Sequence, residues 1–256
     1  MSAQLITVNA IQRALSATRL SKYYRNEAGD GDVEAVARYL WNLALQAALV
    51  PALHAAELTI RNAVFDASVK VANLRGRRFN EIACWLDARP TLLYRNEAEA
   101  VDEAKDQLRS NPKSMTPGHL VAKLSFGFWV NLLNASYEQG RSNGPALWPA
   151  GLKEFHGIPG PERNRADMRL RFDTVRRFRN RVAHHEPIWD QAPEADYTYM
   201  LQTLRYLNPG MERAVAATCL FPTVMADGEK AYLETAERLL GQQRRAVTGI
   251  SQGGAQ

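Results

Sequence analysis

Apolar residues recur along this chain at spacings of three and four, the period of an α-helix, and rarely alternate as a half-buried strand requires. The clearest run is Leu49, Leu53, Ala56, Ile60, Val64 and Val71, one face of a pattern reaching from Val33 to about Val71. Pro51 lies near its middle and removes a backbone donor, so the pattern predicts two helices or one kinked helix. Ahead of it, Thr7 to about Arg25 reads as a helix with Leu15 and Leu20 inward. Gly29-Asp30-Gly31-Asp32 reads as a turn with Asp32 as N-cap.

Further on, Phe79 to Leu86 is short and apolar, consistent with a helical turn, and Tyr94 to Leu108 is charged and alanine-rich, an exposed helix. Thr116-Pro117 is a helix start, Thr as cap and Pro at the first helical position. The helix it opens is expected to run through Tyr137 with Leu120, Leu124, Phe128 and Leu132, and with Gly127 allowing close packing. Arg141 to Gly160 is rich in glycine and proline and reads as the main loop region. A long helix follows from about Glu162 to His184 or His185, and Glu186-Pro187 ends it, because the residue before a proline resists the helical conformation. Helices are also expected at Glu194–Leu207, Met211–Cys219 and about Gly228–Val247, with a frayed tail at 249–256. The pattern as a whole predicts an all-α fold in a single domain.

Composition changes this picture little. The 256 residues are 46% hydrophobic and 23% charged, ordinary for a globular protein, and the formal charge of +5 permits an acidic partner. Cys84 and Cys219 have no paired spacing, so they read as reduced thiols of a cytoplasmic protein, with neither a disulfide framework nor a cysteine zinc site. The start, MSAQLITVNAIQRAL, lacks the layout of a signal peptide. The most apolar run, Leu43 to Ala56, is interrupted by Gln46, Pro51 and His54 and is too short to span a bilayer. No membrane association is expected.

The chemistry concentrates in one helix. Between Glu162 and Arg181 there are eight arginines against three acidic residues, a local excess of +5 (8 minus 3). Met168, Phe172, Val175 and Val182 form an apolar stripe, and Arg179 falls on it, four after Val175 and three before Val182. Burying a guanidinium there is costly unless it is paired. Either a core carboxylate such as Glu57 neutralises it, or the stripe borders a cleft or subunit interface where Arg179 meets a phosphate. Arg176, Arg177 and Arg181 lie off the stripe, where they could track a nucleic-acid backbone.

The helix ends in Arg179-Asn180-Arg181-Val182-Ala183-His184-His185-Glu186-Pro187. Arginine grips phosphate as a two-pronged donor and histidine moves protons near neutral pH, so together they suffice to cut a phosphodiester without a metal. A histidine pair at a helix C-terminus is also favoured by the helix dipole alone. As metal ligands the two are poorly placed, since adjacent residues point apart on a helix and no cysteine or acidic partner stands at ligand spacing. Arg179 and His184 are five residues apart, about 140° around an ideal helix, and do not share a face. Either the backbone leaves the helix near Ala183, or two copies of the motif meet across a dimer.

The stretch Arg-Asn-Arg-Val-Ala-His-His-Glu-Pro-Ile-Trp at 179–189 resembles the C-terminal signature of the Abi-like (abortive-infection, AbiD/AbiF type) proteins of the HEPN superfamily. That signature is an arginine, a polar residue, a short spacer and a histidine. Three more blocks fit in order: an RL…Y segment from Leu20 leading to Tyr39-Leu40-Trp41-Asn42, Glu57-Leu-Thr-Ile-Arg-Asn62, and Leu124-Ser-Phe-Gly-Phe-Trp129 with the later Leu147-Trp148. The resemblance covers about residues 18–220 and implies a HEPN-like helical bundle with additional N- and C-terminal helices.

It implies Arg179 and His184 as a ribonuclease pair, Asn180 as the polar second position, and His185 as an extra histidine that becomes the catalytic one if the spacer is five. Glu57 would support Arg179 or form an i,i+4 bridge to Arg61. The Arg61-Asn62 echo is no second site, since Asp66 and Ala67 stand where a histidine would be needed. Trp41, Phe126 and Trp129 read as core. The implied reaction is metal-independent attack of a 2′-hydroxyl on the adjacent phosphorus of RNA, with no cofactor, in phage defence or as a toxin. The implied partners are RNA as substrate or regulator, a second copy in a homodimer, and a neutralising protein or RNA. A non-catalytic RNA-binding module would use the same arginines without the histidines. A purely structural interaction protein leaves Arg179 on an apolar stripe unexplained.

Overall fold

The structure, a computed structural model, describes residues 8–25, 27–74, 78–79, 82, 84–110, 115–141 and 144–241. The fold is all-α, as the hydrophobic period predicts; its strands are one antiparallel ribbon of two residues each, Arg78–Phe79 (β1) with Ala88–Arg89 (β2). Eleven α-helices occur among the described residues. The chain divides into two compact units, 1–48 with 187–191 and 220–256, and 49–186 with 192–219.

The first unit holds α1 (Val8–Leu15), α2 (Ala17–Leu20), the start of α3 (Asp32–Leu74), α10 (Phe221–Asp227) and α11 (Leu233–Leu240). The single helix expected before Arg25 is broken at Ser16, whose φ is 73° and whose side chain accepts the Arg19 N–H to start α2. Leu20 is buried and Leu15 only half-buried. The α3 cap is one residue earlier than expected: Gly31 accepts the first helical bond from Ala35, and the Glu34 carboxylate reaches back to the Gly31 N–H at 3.0 Å. Val33, Val36, Ala37 and Ala236 form a small core, with Ile11, Leu40, Tyr232, Leu233 and Leu240 packed on it.

Beside that core lies a buried ionic network. The Arg38 guanidinium, 3% exposed, meets Asp30, Glu229 and the Tyr23 carbonyl, and Arg25 pairs with the same Glu229 at 3.2 Å. Both guanidiniums lie over the Trp189 ring, at 4.9 Å and 5.7 Å. Asn42 donates to the Tyr23 hydroxyl at 3.1 Å and accepts the Ile188 N–H at 2.8 Å. The RL…Y, Tyr-Leu-Trp-Asn and Ile-Trp blocks, far apart in the chain, thus meet in one structural cluster.

The second unit contains the rest of α3 with α4 (Arg95–Arg109), α5 (Pro117–Lys123), α6 (Phe126–Asn131), α7 (Arg165–Ala183), α8 (Pro193–Leu207) and α9 (Pro209–Thr218). Of the two forms expected, two helices or one kinked helix, α3 is a single element through Pro51. Proline's own φ suits a helix, and Leu49, Ala52, Leu53 and Ala56 around it are all buried, which offsets the lost hydrogen bond. By length and composition alone α3 contains a window long and apolar enough to cross a bilayer, longer than the Leu43 to Ala56 run considered from the sequence, and 44% of that window is buried. Its predicted stripe, Leu49 to Val71, is buried throughout, with Trp85, Trp129, Trp148, Phe172 and Phe178 completing the core. Phe126 and Trp129 are core residues as expected.

Other expectations shift. The Thr116 cap is in place, but the helix it opens stops at Leu124, where Ser125 caps α6 by accepting the Phe128 N–H. Gly127 is not there for close packing: a Cβ on it would meet only the Ser125 Oγ, at 3.7 Å. Residues 79–86 give part of the ribbon and a 3-10 turn at Trp85–Asp87. The α4 helix is not simply exposed, since Val101, Ala104, Lys105 and Leu108 are buried. The C-terminal helix expected at 228–247 begins as a 3-10 turn at Glu229–Tyr232 and continues as α11, capped at Gly241; ahead of it lies α10, which the pattern did not reveal. Its expected end and the tail at 249–256 lie outside the described residues.

The proline- and glycine-rich loop is packed inward by Leu147, Trp148, Phe155 and Ile158. Gly157 is tightly constrained: a Cβ there would come within 2.0 Å of the Tyr206 carbonyl oxygen. Gly157→Ala is expected to destabilise the protein by about 1–3 kcal/mol, because backbone must move to admit the methyl. Urea denaturation would show this as a lower midpoint at unchanged slope.

Candidate functional site

The α7 helix starts at Arg165, three residues later than expected. A 3-10 turn at Gly160–Glu162, capped by Pro159 and containing Pro161, precedes it, and the Asn164 side chain caps the helix by accepting the Asp167 N–H. Its inward stripe is as predicted: Met168, Phe172, Val175 and Val182 are buried. Arg179 lies at the edge of that stripe with its side chain 38% exposed. Its Nε donates to the Glu57 carboxylate at 2.9 Å, and its Nη1 donates to the Asn180 side-chain oxygen at 3.3 Å. Among the described residues its Nη2 has no hydrogen-bond partner.

Glu57 is not exclusive to Arg179. Its other oxygen accepts Arg61 Nη2 at 3.1 Å, one turn along α3. The two uses of Glu57 that the sequence offers as alternatives are both realised. Glu57 is 10% exposed and Arg61 12%, so the shared carboxylate is shielded while Arg179 is half-open. With two guanidiniums on one carboxylate, the cluster carries a net charge of +1.

The other arginines of α7 are largely committed. Arg176 and Arg177 share Asp173, at 2.6 Å and 3.4 Å, and Arg181 is held by Asp196. Arg171 pairs with Glu162 at 2.6 Å and lies over the rings of Tyr199 and Tyr206. Arg165 and Arg169 reach back to the Leu133 carbonyl and the Asn134 side chain. Of the three expected to track a nucleic-acid backbone, Arg177 is 60% exposed, Arg176 30% and Arg181 24%. Asp173, at i−3 and i−4, was readable as their partner from spacing; Asp196 comes from α8 and was not.

Beyond Ala183 the backbone leaves the helix. His184 is the C-cap, His185 stands in the left-handed region at φ 56°, and Glu186 returns its N–H to the Arg181 carbonyl at 3.0 Å while His185 returns its own to Val182 at 3.1 Å. This is a Schellman closure, with histidine where glycine is usual. The backbone thus departs from the helix just after Ala183, one of the two geometric possibilities raised by the sequence. Both histidine side chains are exposed, and among the described residues no hydrogen bond joins either to Arg179. No three His, Cys, Asp or Glu side chains among the described residues gather as metal ligands would.

A left-handed β-substituted residue costs about 1–2 kcal/mol, partly recovered from the lower unfolded-state entropy relative to glycine. His185→Gly is therefore expected to raise the melting temperature by about 2–4 °C. A fall would show that the imidazole itself holds the turn.

Comparison with protein-family models, with curated proteins and with solved structures returns no match to this chain. Fold and site together define an all-α protein with a half-open arginine–carboxylate cluster beside a turn that exposes two histidines.

Proposed function

We propose that this chain is a metal-independent endoribonuclease of the Abi-like HEPN kind, cutting RNA by attack of a 2′-hydroxyl on the neighbouring phosphorus. The observation that carries the reading is Arg179: half-exposed, steadied through Nε by Glu57, and keeping Nη2 without a hydrogen-bond partner among the described residues. Such a guanidinium can donate to phosphate oxygens as charge develops on them. One turn on, His184 stands exposed at the end of the same helix, able to take or give the proton. Asn180, already bonded to Arg179, would orient the guanidinium or hold a ribose hydroxyl. His184 is the catalytic histidine in this reading and His185 the alternative. The product ends are a 2′,3′-cyclic phosphate and a 5′-hydroxyl. DNA lacks the attacking hydroxyl and is expected to be inert.

A composite site from two copies would bring a second His184 toward Arg179. In this reading the protein is a cytoplasmic homodimer of phage defence or toxin type, restrained by a protein or RNA partner. A second reading, a non-catalytic RNA-binding module, is favoured by the missing Arg179–histidine link and by the exposure of Arg177. Labelled single-stranded RNA in EDTA separates the two. Cyclic-phosphate ends that vanish with His184→Ala support the ribonuclease. Binding without cutting, equal in both proteins, supports the module.

A further inference from the structure

Arg61 is more than the partner of a helix salt bridge. Its carboxylate, Glu57, is split with Arg179. Elsewhere the buried cations are better supplied: Lys105 meets Asp87 and Asp102, and Arg38 meets Asp30 and Glu229. Where one carboxylate serves two arginines in the open, as Asp173 does for Arg176 and Arg177, water solvates the surplus. At Arg61 water has little access, since the side chain is 12% exposed and its Nε is buried with no hydrogen-bond partner among the described residues. A shielded surplus charge with unused donors is the physical signature of a site completed by an anion.

We infer that Arg61 and Arg179 together form a phosphodiester subsite, Arg61 being a phosphate-binding residue and Glu57 the carboxylate that holds both guanidiniums in place. This rests on the phosphodiester reading of the site. The charge count selects the ligand class. Two guanidiniums and one carboxylate leave +1, so a phosphodiester, with a single negative charge, brings the cluster to neutrality. A phosphomonoester dianion would overshoot. Glu57 binds Arg179 through Nε and Arg61 through Nη2, and Asn180 takes Arg179 Nη1, so Nη2 of Arg179 and Nη1 of Arg61 are left for the ligand.

The test is the binding of a labelled single-stranded 2′-O-methyl oligoribonucleotide, followed by fluorescence anisotropy across a salt series. This probe has no free 2′-hydroxyl, so binding is read without cleavage. Arg61→Gln leaves Glu57 and Arg179 paired one to one and is expected to fold. It should weaken binding about tenfold, as for a lost charge-assisted bond, and reduce the slope of log K against log salt by about 0.7. Arg61→Met, which keeps the buried stem, replaces it if melting shows Arg61→Gln to be unfolded. An unchanged slope and affinity in a folded variant overturns the inference, as does a wild-type protein that does not bind the probe. The two readings fail separately. An Arg61-dependent slope without any RNA cutting keeps the subsite and removes the ribonuclease. Cutting with an unchanged slope does the reverse.

Discussion

Lys105→Ala is expected to cost about 3–5 kcal/mol of stability, a large share of what holds a domain folded. Lys105 is 3% exposed and its Nζ lies 2.9 Å from Asp87, whose side chain is fully buried, and 3.3 Å from the exposed Asp102. The second oxygen of Asp87 accepts the Ile82 N–H at 2.8 Å, tying the 3-10 turn to the segment before it. Removing the ammonium takes the Lys105 counter-charge away from a carboxylate that is shielded from water. The double variant Lys105→Met with Asp87→Leu should recover much of the loss, because two apolar side chains replace a desolvated pair. Urea denaturation of the three proteins checks this, and a loss below about 1 kcal/mol would mean that Asp87 is compensated without Lys105. The pair also sets a pH limit. Burial alone would lower the Lys105 pKa, but Asp87 and Asp102 outweigh it and the net shift is upward. The contribution is therefore complete below the unfolded lysine pKa of about 10.4 and is lost as pH rises through the higher folded value.

His184→Ala is expected to lower RNA cleavage about 10²–10⁴-fold, the range for a lost general acid or base. The side chain is exposed, so stability should change by no more than about 0.5 kcal/mol. Binding of the 2′-O-methyl probe should persist. A rate equal to that of the parent would remove His184 from the mechanism; loss in His185→Ala instead would place the proton transfer on the residue held at φ 56°. Because the turn departs from the helix at His184, a dimer is one route to a close Arg179–His184 pair. Mixing Arg179→Ala with His184→Ala protein tests that route: restored cutting in the mixture requires a site made from two chains.

Much of the fold was legible because it follows local rules. The 49–71 stripe, the Thr116-Pro117 start, the α7 stripe and the end before Pro187 all come from a 3.6-residue period, a cap or a proline. Elsewhere tertiary packing decided what a local signal left open or overrode it. Pro51 allowed two helices or one, and α3 is one because buried neighbours on both sides hold it; Lys105 is inside rather than outside because Asp87 awaits it. Ser16 and Ser125 divide expected helices, since a serine can accept a backbone N–H within a helical pattern or at a new start, and spacing does not say which.

The candidate site divides in the same way. The sequence by itself determined the residues: a basic helix with Arg179 on its apolar stripe, a histidine pair before a proline, and Glu57 one turn from Arg61. Each is a consequence of spacing along one helix, which the chain carries locally. Only the tertiary structure decided what Arg179 meets. Glu57 and Arg179 are 122 residues apart in the chain, and no periodicity relates positions on two different helices. Packing of α3 against α7 made one carboxylate serve two guanidiniums, and so turned a buried-charge problem into a half-open cationic site.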